Sequence, residues 1–283
     1  MSVARVRHLL NKFWYATLAL LCGVANAEPL SDDERFVVAN ARFVVLHEMG
    51  HLLLNELRLP IFGREEDAAD QLAFSAFFVL PDYRDDPALT TYLMDVTRYW
   101  RLQGLRDKPK SEKIEPWDSH SLDLQRFYNL ACLTYGSDPD TMQWVLQQTG
   151  LPVERALYCD QEYQQALYSL QWIKQHYKRD KALPKMPISV NYGQISHALE
   201  PEAAFIEKVR LSGELEAIAA RASSDFALPR PLSINAQSCS TSDAWFDRQN
   251  GEIILCYEYL LHLREVAQTK LPEAPKAPEL IAP

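Results

Sequence analysis

Several features that mark broad classes of protein are missing from this sequence, and each absence narrows the choice of function. No internal repeat occurs, which excludes a solenoid. No apolar stretch of spanning length follows the short first one, so we expect no stable membrane span in the mature chain. Basic residues are in deficit, 29 against 38 acidic ones, which gives a formal net charge of −9. Nucleic acid is therefore not expected as a partner.

The five cysteines lack the C-x-x-C spacing of a cysteine metal site, which makes such a site the weaker interpretation. Cys22 lies in the first apolar run, and Cys132, Cys159, Cys239 and Cys256 remain. An even number of cysteines in an exported protein predicts two disulfides. Of the three possible connectivities we expect Cys132–Cys159 and Cys239–Cys256, because each joins one local segment.

The N-terminus has the pattern of a secretory signal peptide over residues 1–27. Three basic residues precede the apolar run from Phe13 to Cys22, and Ala25-Asn26-Ala27 supplies an A-x-A cleavage site. We expect a periplasmic or secreted protein whose formal charge, once the signal is removed, is −12. A lipoprotein signal that uses Cys22 is the alternative, but Leu21 is larger than the residue such processing requires.

The most informative motif that is present is His47-Glu48-Met49-Gly50-His51, in an apolar stretch that predicts a helix. Ser31 and Glu34 form a capping box at the start of that helix. Histidines four residues apart lie on one helical face, where their ring nitrogens can hold one divalent metal. Glu48 can take a proton from a metal-bound water and pass it to a leaving amine. The motif therefore predicts a zinc site with a catalytic base.

Chance occurrence of the motif is the alternative. Its apolar setting argues against chance, because two buried histidines and a buried glutamate need polar partners, and a metal supplies them.

A catalytic zinc needs a third protein ligand and one open position. The histidine of the extended motif is absent, since Leu57 occupies its place. After the turn Pro60 to Gly63, Glu66 and Asp70 lie four residues apart on one face of the next helix. We expect Glu66 to be the third ligand, with Glu65 as the alternate. A solvated acidic first turn, favoured by the helix dipole, is the competing interpretation.

The short turn makes these two helices antiparallel neighbours. Asp70 is then expected to accept the second ring N–H of a metal-binding histidine and to fix its tautomer. The small residues Ala69 and Ala73 would let the helices approach closely.

A zinc peptidase also needs a group that stabilises the oxyanion of the tetrahedral intermediate. His120 is the first candidate, because Asp118 two residues earlier can orient its imidazole or keep it charged. Arg126 and Tyr257 are the rival candidates, and a purely structural role is open for each of the three.

The glutamate followed by an aspartate four residues later resembles the pattern of the gluzincin metallopeptidases. More narrowly, the stretch Asn40 to Ala73, with HEMGHLLLNELRLPIFGREEDAADQLA, resembles a family of bacterial metallopeptidases known only as a domain of unknown function. The segments Asp118 to Asn129 with Cys132, Tyr135 to Pro139 and Leu255 to Glu258 are also similar to that family. The resemblance implies zincin-like active-site helices and a peptide or protein substrate. The family leads us to expect an Asn-Ala pair before the last strand, where this chain has Asp243-Ala244.

The hydrophobic content of 47% allows a good core in one domain or two tightly joined lobes, over residues 28–270. Periodicity predicts a mainly α fold with a small β-hairpin or sheet, an α+β class. Helices are expected in Ser31 to Trp100, Leu122 to Leu133, Pro139 to Gln148, Pro152 to Tyr177 and Pro201 to Ala222. Strands are expected at Leu232 to Asn235, Ala244 to Asp247 and Glu252 to Leu260, with a two-residue turn at Asn250-Gly251. The stretch from Gly104 to Ser121 is expected to be a loop, and the Pro/Ala-rich residues 271–283 a disordered tail.

Two functions follow from these observations. The favoured one is an exported zinc-dependent peptidase, with one zinc per chain and water activated by Glu48. The alternative is a zinc-retaining, non-catalytic envelope module, either a binding protein or a chaperone-like partner of other exported proteins. The intact Glu48 favours the enzyme, because a module that only holds metal needs no base at that position.

Overall fold

The fold is that of a computed structural model, which describes residues 30–105 and 117–270. The expected signal peptide and the expected tail lie outside the described residues, as does most of the expected loop that begins at Gly104. The helices are α1 Asp32–Glu56, α2 Glu65–Val79, α3 Pro81–Arg84, α4 Leu89–Leu105, α5 Asp123–Ser137, α6 Gln143–Thr149, α7 Val153–Ala156, α8 Cys159–His176, α9 Ala203–Arg210, α10 Glu214–Asp225 and α11 Tyr257–Ala267, with a 3₁₀ turn at His197–Glu202. The strands are β1 Ile188–Tyr192, β2 Leu232–Gln237, β3 Ala244–Asp247 and β4 Glu252–Cys256.

Helix α1 is the centre of the fold. It begins at the expected capping box, where the Ser31 hydroxyl accepts the Glu34 N–H at 3.3 Å and Glu34 accepts the Ser31 N–H at 2.8 Å. Helices α2, α4 and α11 and strands β3 and β4 all pack against it, so it is buried on every side. By length and composition α1 could cross a membrane, but 94% of its most apolar 18-residue stretch is buried in the fold. Its apolar character is thus that of a core helix.

The four strands form one mixed sheet in the order β1-β2-β4-β3. Strand β2 is parallel to both β1 and β4, while β3 is antiparallel to β4 and lies at an edge beside α1. The mainly α class with a small sheet is therefore confirmed. Strand β1 was not anticipated, because its pairing partner lies about forty residues away and no turn pair marks it.

The last predicted strand was too long. Strand β4 ends at Cys256, and helix α11 begins at the next residue, Tyr257. The residues from Ile253 to Leu260 are almost continuously apolar, and such a run does not distinguish a buried strand from a buried helix.

The predicted two-residue hairpin turn was also wrong. Asp247 pairs with Glu252, so four residues, Arg248 to Gly251, connect the strands. The Asp247 carboxylate accepts the N–H groups of Gln249 and Asn250 at 2.9 and 3.1 Å. Gly251 alone takes a positive φ, of 71°, so this turn uses one left-handed residue where the predicted turn needs two.

Two of the longer predicted helices contain breaks, and two predicted helix boundaries were misplaced. Helix α5 extends to Ser137, four residues beyond its predicted end, and α6 begins only at Gln143. Residues 157 and 158 separate α7 from α8, and α9 and α10 are separated at Gly213, whose φ is 72°. Apolar periodicity continues through such breaks, so the pattern alone did not locate them.

Two disulfides, Cys132–Cys159 and Cys239–Cys256, join the cysteines as the sequence predicts. The first ties α5 to the start of α8, where a Cβ on Gly136 would lie 2.1 Å from the carbonyl oxygen of Cys159. The second ties the segment after β2 to the end of β4.

Reduction should therefore destabilise the protein. We expect mass spectrometry of the unreduced native protein to show all four of these cysteines paired. Unfolding in denaturant should occur earlier with reductant, because loss of a native disulfide costs about 2–5 kcal/mol. Two or more free thiols in the native protein would contradict this.

Candidate metal centre

The centre depends on a close approach of helices α1 and α2. A Cβ built on Gly50 would lie 3.0 Å from the Cα and 3.3 Å from the Cβ of Ala69. Ala69 and Ala73, the small residues of α2 expected to allow a close approach, are both buried. The approach brings the first turn of α2, which carries three of the carboxylates described below, against the motif on α1.

Three atoms that can act as metal ligands converge between the two helices. His47 Nε2 lies 3.1 Å from His51 Nε2, and Glu66 Oε2 lies 3.3 Å from the former and 3.2 Å from the latter. Ligands placed tetrahedrally at the usual Zn–N distance of about 2.0–2.1 Å are about 3.3 Å apart. The three atoms thus have the separation of three corners of a zinc tetrahedron. Among the described residues they form a group of donors able to hold a metal ion.

A carboxylate lies behind each histidine. His47 Nδ1 is 2.8 Å from Asp70 Oδ1, and His51 Nδ1 is 2.8 Å from Glu65 Oε1. Both rings therefore direct Nε2 towards the centre. An Nδ1–H donated to the carboxylate leaves the Nε2 lone pair to bind a metal. The sequence anticipated the contact of Asp70 but not that of Glu65, which was considered only as an alternate ligand. Its carboxylate lies instead on the far nitrogen of His51.

The electrostatics of the cluster favour positive charge. Burial lowers the pKa of His47, but hydrogen bonds to Asp70 and Glu66 outweigh it and bring the pKa to about 9. The pKa of His51 also rises, because bonds to Glu66 and Glu65 overcome its burial. Hydrogen bonds from His120, His47 and His51 hold the pKa of Glu66 far below its usual range. Surroundings that stabilise a proton on an imidazole also stabilise a cation bound to it.

Glu48 borders an open cavity of about 390 Å³ that lies along α1. Burial raises the pKa of Glu48 to about 7, although the two neighbouring histidines lower it. The other lining residues come from α1, α4, α5, α11, the His120 loop and the start of β3: Asn40, Phe43, Val44, His47, Tyr99, Trp100, His120, Arg126, Ser242, Asp243, Ala244, Tyr259 and His262. Most of these walls were not anticipated from the sequence, because they come from elements distant in the chain.

His120 lies at the edge of the cluster. Its Nε2 is 3.1 Å from Glu66 Oε2, and its Nδ1 is 3.2 Å from Asp118 Oδ1. The hydrogen bond to Glu66 raises the pKa of His120. The loop is attached to α2, since Ser121 Oγ donates to Asp67 Oδ1 at 2.7 Å and Arg64 donates to Ser121.

The two rival candidates have other contacts. Arg126 makes two hydrogen bonds to Asp70, and Tyr257 donates to the carbonyl of Gly193 at 2.9 Å and lines a different cavity. Of the three candidates, His120 is thus the one whose side chain contacts the ligand group, by which we mean His47 Nε2, His51 Nε2 and Glu66 Oε2.

A second group of potential ligands consists of Cys239, Cys256 and Glu258. Its two sulfurs are joined in a disulfide, and the Glu258 carboxylate accepts the N–H groups of Cys239 and Ser240. This group is therefore structural.

Comparison with protein families agrees with this geometry. The family DUF4344, described as "Putative metallopeptidase", matches residues 15–173 and 197–279. The chain belongs to this family. No curated protein and no solved structure matches it. Membership of a metallopeptidase family implies a metal and a peptide or protein substrate, and His47, His51 and Glu66 are a group that can hold the metal.

The geometry predicts which carboxylate matters most for zinc. Glu66→Ala should weaken zinc binding more than Glu65→Ala, because only Glu66 contributes one of the three converging atoms. His51→Ala should abolish stoichiometric zinc binding. Equilibrium dialysis with metal analysis measures both. A larger loss in Glu65→Ala would exchange the two assignments, and full zinc retention in His51→Ala would refute the centre.

Proposed function

We propose that the protein is an exported zinc-dependent peptidase, with zinc held by His47, His51 and Glu66 and with Glu48 as the general base. The observation that carries the proposal is the triangle of Nε2, Nε2 and Oε2 atoms, with sides of 3.1–3.3 Å, directly beside Glu48 and an open cavity. Export is supported by the two disulfides and by the secretory pattern of residues 1–27.

The composition of the ligand set supports catalysis over a structural role. Two imidazoles and one carboxylate leave one of four positions for water or substrate, whereas structural zinc sites are closed by four protein ligands. All four cysteines in the described part of the chain are in disulfides, so none of them closes the site. When bound, zinc supplies a Lewis acid that polarises the scissile carbonyl and lowers the pKa of water.

Glu48 is suited to move the proton. A carboxylate whose pKa is about 7 accepts a proton near neutral pH and also gives it up readily. In the proposed reaction its carboxylate accepts the proton of the attacking water as the oxygen bonds to the carbonyl carbon. It then delivers that proton to the amide nitrogen as the C–N bond breaks, so the leaving group departs as a neutral amine.

His120 is suited to stabilise the oxyanion. The Asp118 carboxylate also accepts the His120 backbone N–H at 2.9 Å, which restrains the loop backbone at His120. With Nδ1–H donated to Asp118, the other nitrogen, Nε2, faces Glu66 Oε2. A protonated imidazole, which the raised pKa favours, can donate from Nε2 to the developing negative charge.

The test of the proposed base is Glu48→Gln, which keeps the shape of the side chain and all three ligands. Zinc content should not change, while peptide cleavage should fall at least 10²–10⁴-fold, because an amide does not accept the proton. The assay is digestion of a peptide library by zinc-loaded protein, with Glu154→Gln, an exposed glutamate on α7, as the matched control.

Two results would contradict the proposal. If the zinc-loaded wild type cleaves no peptide, the alternative of a zinc-retaining binding module is favoured. If Glu48→Gln cleaves as fast as the wild type, Glu48 is not the base.

His120→Ala should lower kcat about 10²–10³-fold with zinc content unchanged, because one donor to the oxyanion is lost. Asp118→Asn should have a smaller effect in the same direction, since it removes only the partner of the ring. Steady-state kinetics with metal analysis of each variant checks this. An unchanged kcat in His120→Ala would exclude the assigned role.

A further inference from the structure

Each proposed histidine ligand is backed by a carboxylate, and each carboxylate is backed by an arginine. On one side His47 contacts Asp70, which accepts two hydrogen bonds from Arg126 of α5. On the other side His51 contacts Glu65, which accepts one from Arg248 of the β3–β4 turn at 2.6 Å. We call the contacts His47–Asp70–Arg126 the Arg126 arm and the contacts His51–Glu65–Arg248 the Arg248 arm. The two arms have the same order of groups but come from different parts of the fold.

The arms differ strongly in burial. The side chains of Arg126 and Asp70 are 10% and 14% exposed, whereas those of Arg248 and Glu65 are 58% and 29% exposed. An exposed ion pair contributes little because water and salt screen it. Removing one partner of a buried pair leaves an uncompensated charge and is costly. The Arg126 arm should therefore control the centre more than the Arg248 arm does.

Contacts on several sides hold Arg126 in place. Its Nε donates to Asp70 Oδ2 at 2.6 Å, and a second guanidinium nitrogen donates to Oδ1, the oxygen that also faces His47. The guanidinium lies over the Trp100 ring, 3.5 Å from its centroid. Trp100 in turn packs edge-on against Phe43, one turn before His47 on α1. This two-point contact is available to the planar fork of arginine and not to lysine.

We propose that Arg126 is a positioning residue of the metal centre, acting through Asp70 to fix His47 and so to set the affinity for zinc. The proposal rests on the proposed zinc site. Arg126 holds the two oxygens of Asp70 in one orientation, so the His47 ring keeps Nε2 directed at His51 Nε2 and Glu66 Oε2. Trp100 supports the guanidinium from its face. The Arg248 arm is secondary.

The experiment compares Arg126→Gln, Arg126→Lys and Arg248→Gln in the mature protein. Zinc affinity is measured by competition with a chelator, and the ligand environment by the visible spectrum of the Co²⁺-substituted protein. Thermal unfolding of the metal-free proteins reports on the fold. Arg126→Gln should weaken zinc binding about 10–100-fold and change the cobalt spectrum. Arg126→Lys should give an intermediate loss, and Arg248→Gln a loss of less than about 5-fold.

Several outcomes would overturn the inference. Unchanged zinc affinity and cobalt spectrum in Arg126→Gln would do so even if activity fell, because Arg126 would then act on the substrate. If Arg126→Gln does not fold, Arg126→Lys decides on the same two readouts. A larger loss in Arg248→Gln than in Arg126→Gln would reverse the order of the arms. Absence of zinc binding in the wild type would instead refute the proposed centre itself.

Discussion

The proposed site depends on the short distance between α1 and α2 at Gly50. No side chain separates the helices there, and Ala69 supplies the smallest partner that keeps a Cβ. At this separation the Nε2 atoms of two histidines on α1 and a glutamate oxygen on α2 lie within 3.3 Å of one another. We expect a larger residue at either position to move Glu66 and Asp70 away together, since both are on α2.

The second constraint is the cost of placing charged groups in an apolar helix. Helix α1 is buried from Phe36 to Leu54 apart from the half-buried Val44, so the polar groups of the motif need partners from other elements. Asp70 and Glu65 meet this need for the histidines, and Arg126 and Arg248 meet it for the carboxylates. The site thereby connects α1 and α2 to α5 and to the β3–β4 turn.

The part of the site that depends on local spacing was predictable from the sequence. Residues four apart share a helical face, so His47 with His51 and Glu66 with Asp70 could be paired before any fold was known. The contacts of Glu65 and Arg126 and the cavity walls Tyr99 and Tyr259 could not, because they depend on how distant elements pack. For the fold, α1 and the mainly α class were predictable. Strand β1 was not, because its pairing partner lies about forty residues away. The β4–α11 boundary was not, because a short apolar run fits either type of element.

The central claim is that one zinc lies between α1 and α2 on two imidazoles and a carboxylate. A crystal structure of the zinc-loaded mature protein, with anomalous data collected at the zinc edge, tests it most directly. We expect one anomalous peak per chain, at about 2.0–2.2 Å from His47 Nε2, His51 Nε2 and Glu66 Oε2. The account would be contradicted by a peak bound to Glu65 in place of Glu66, by a peak at the cysteines, or by the absence of any peak between the two helices.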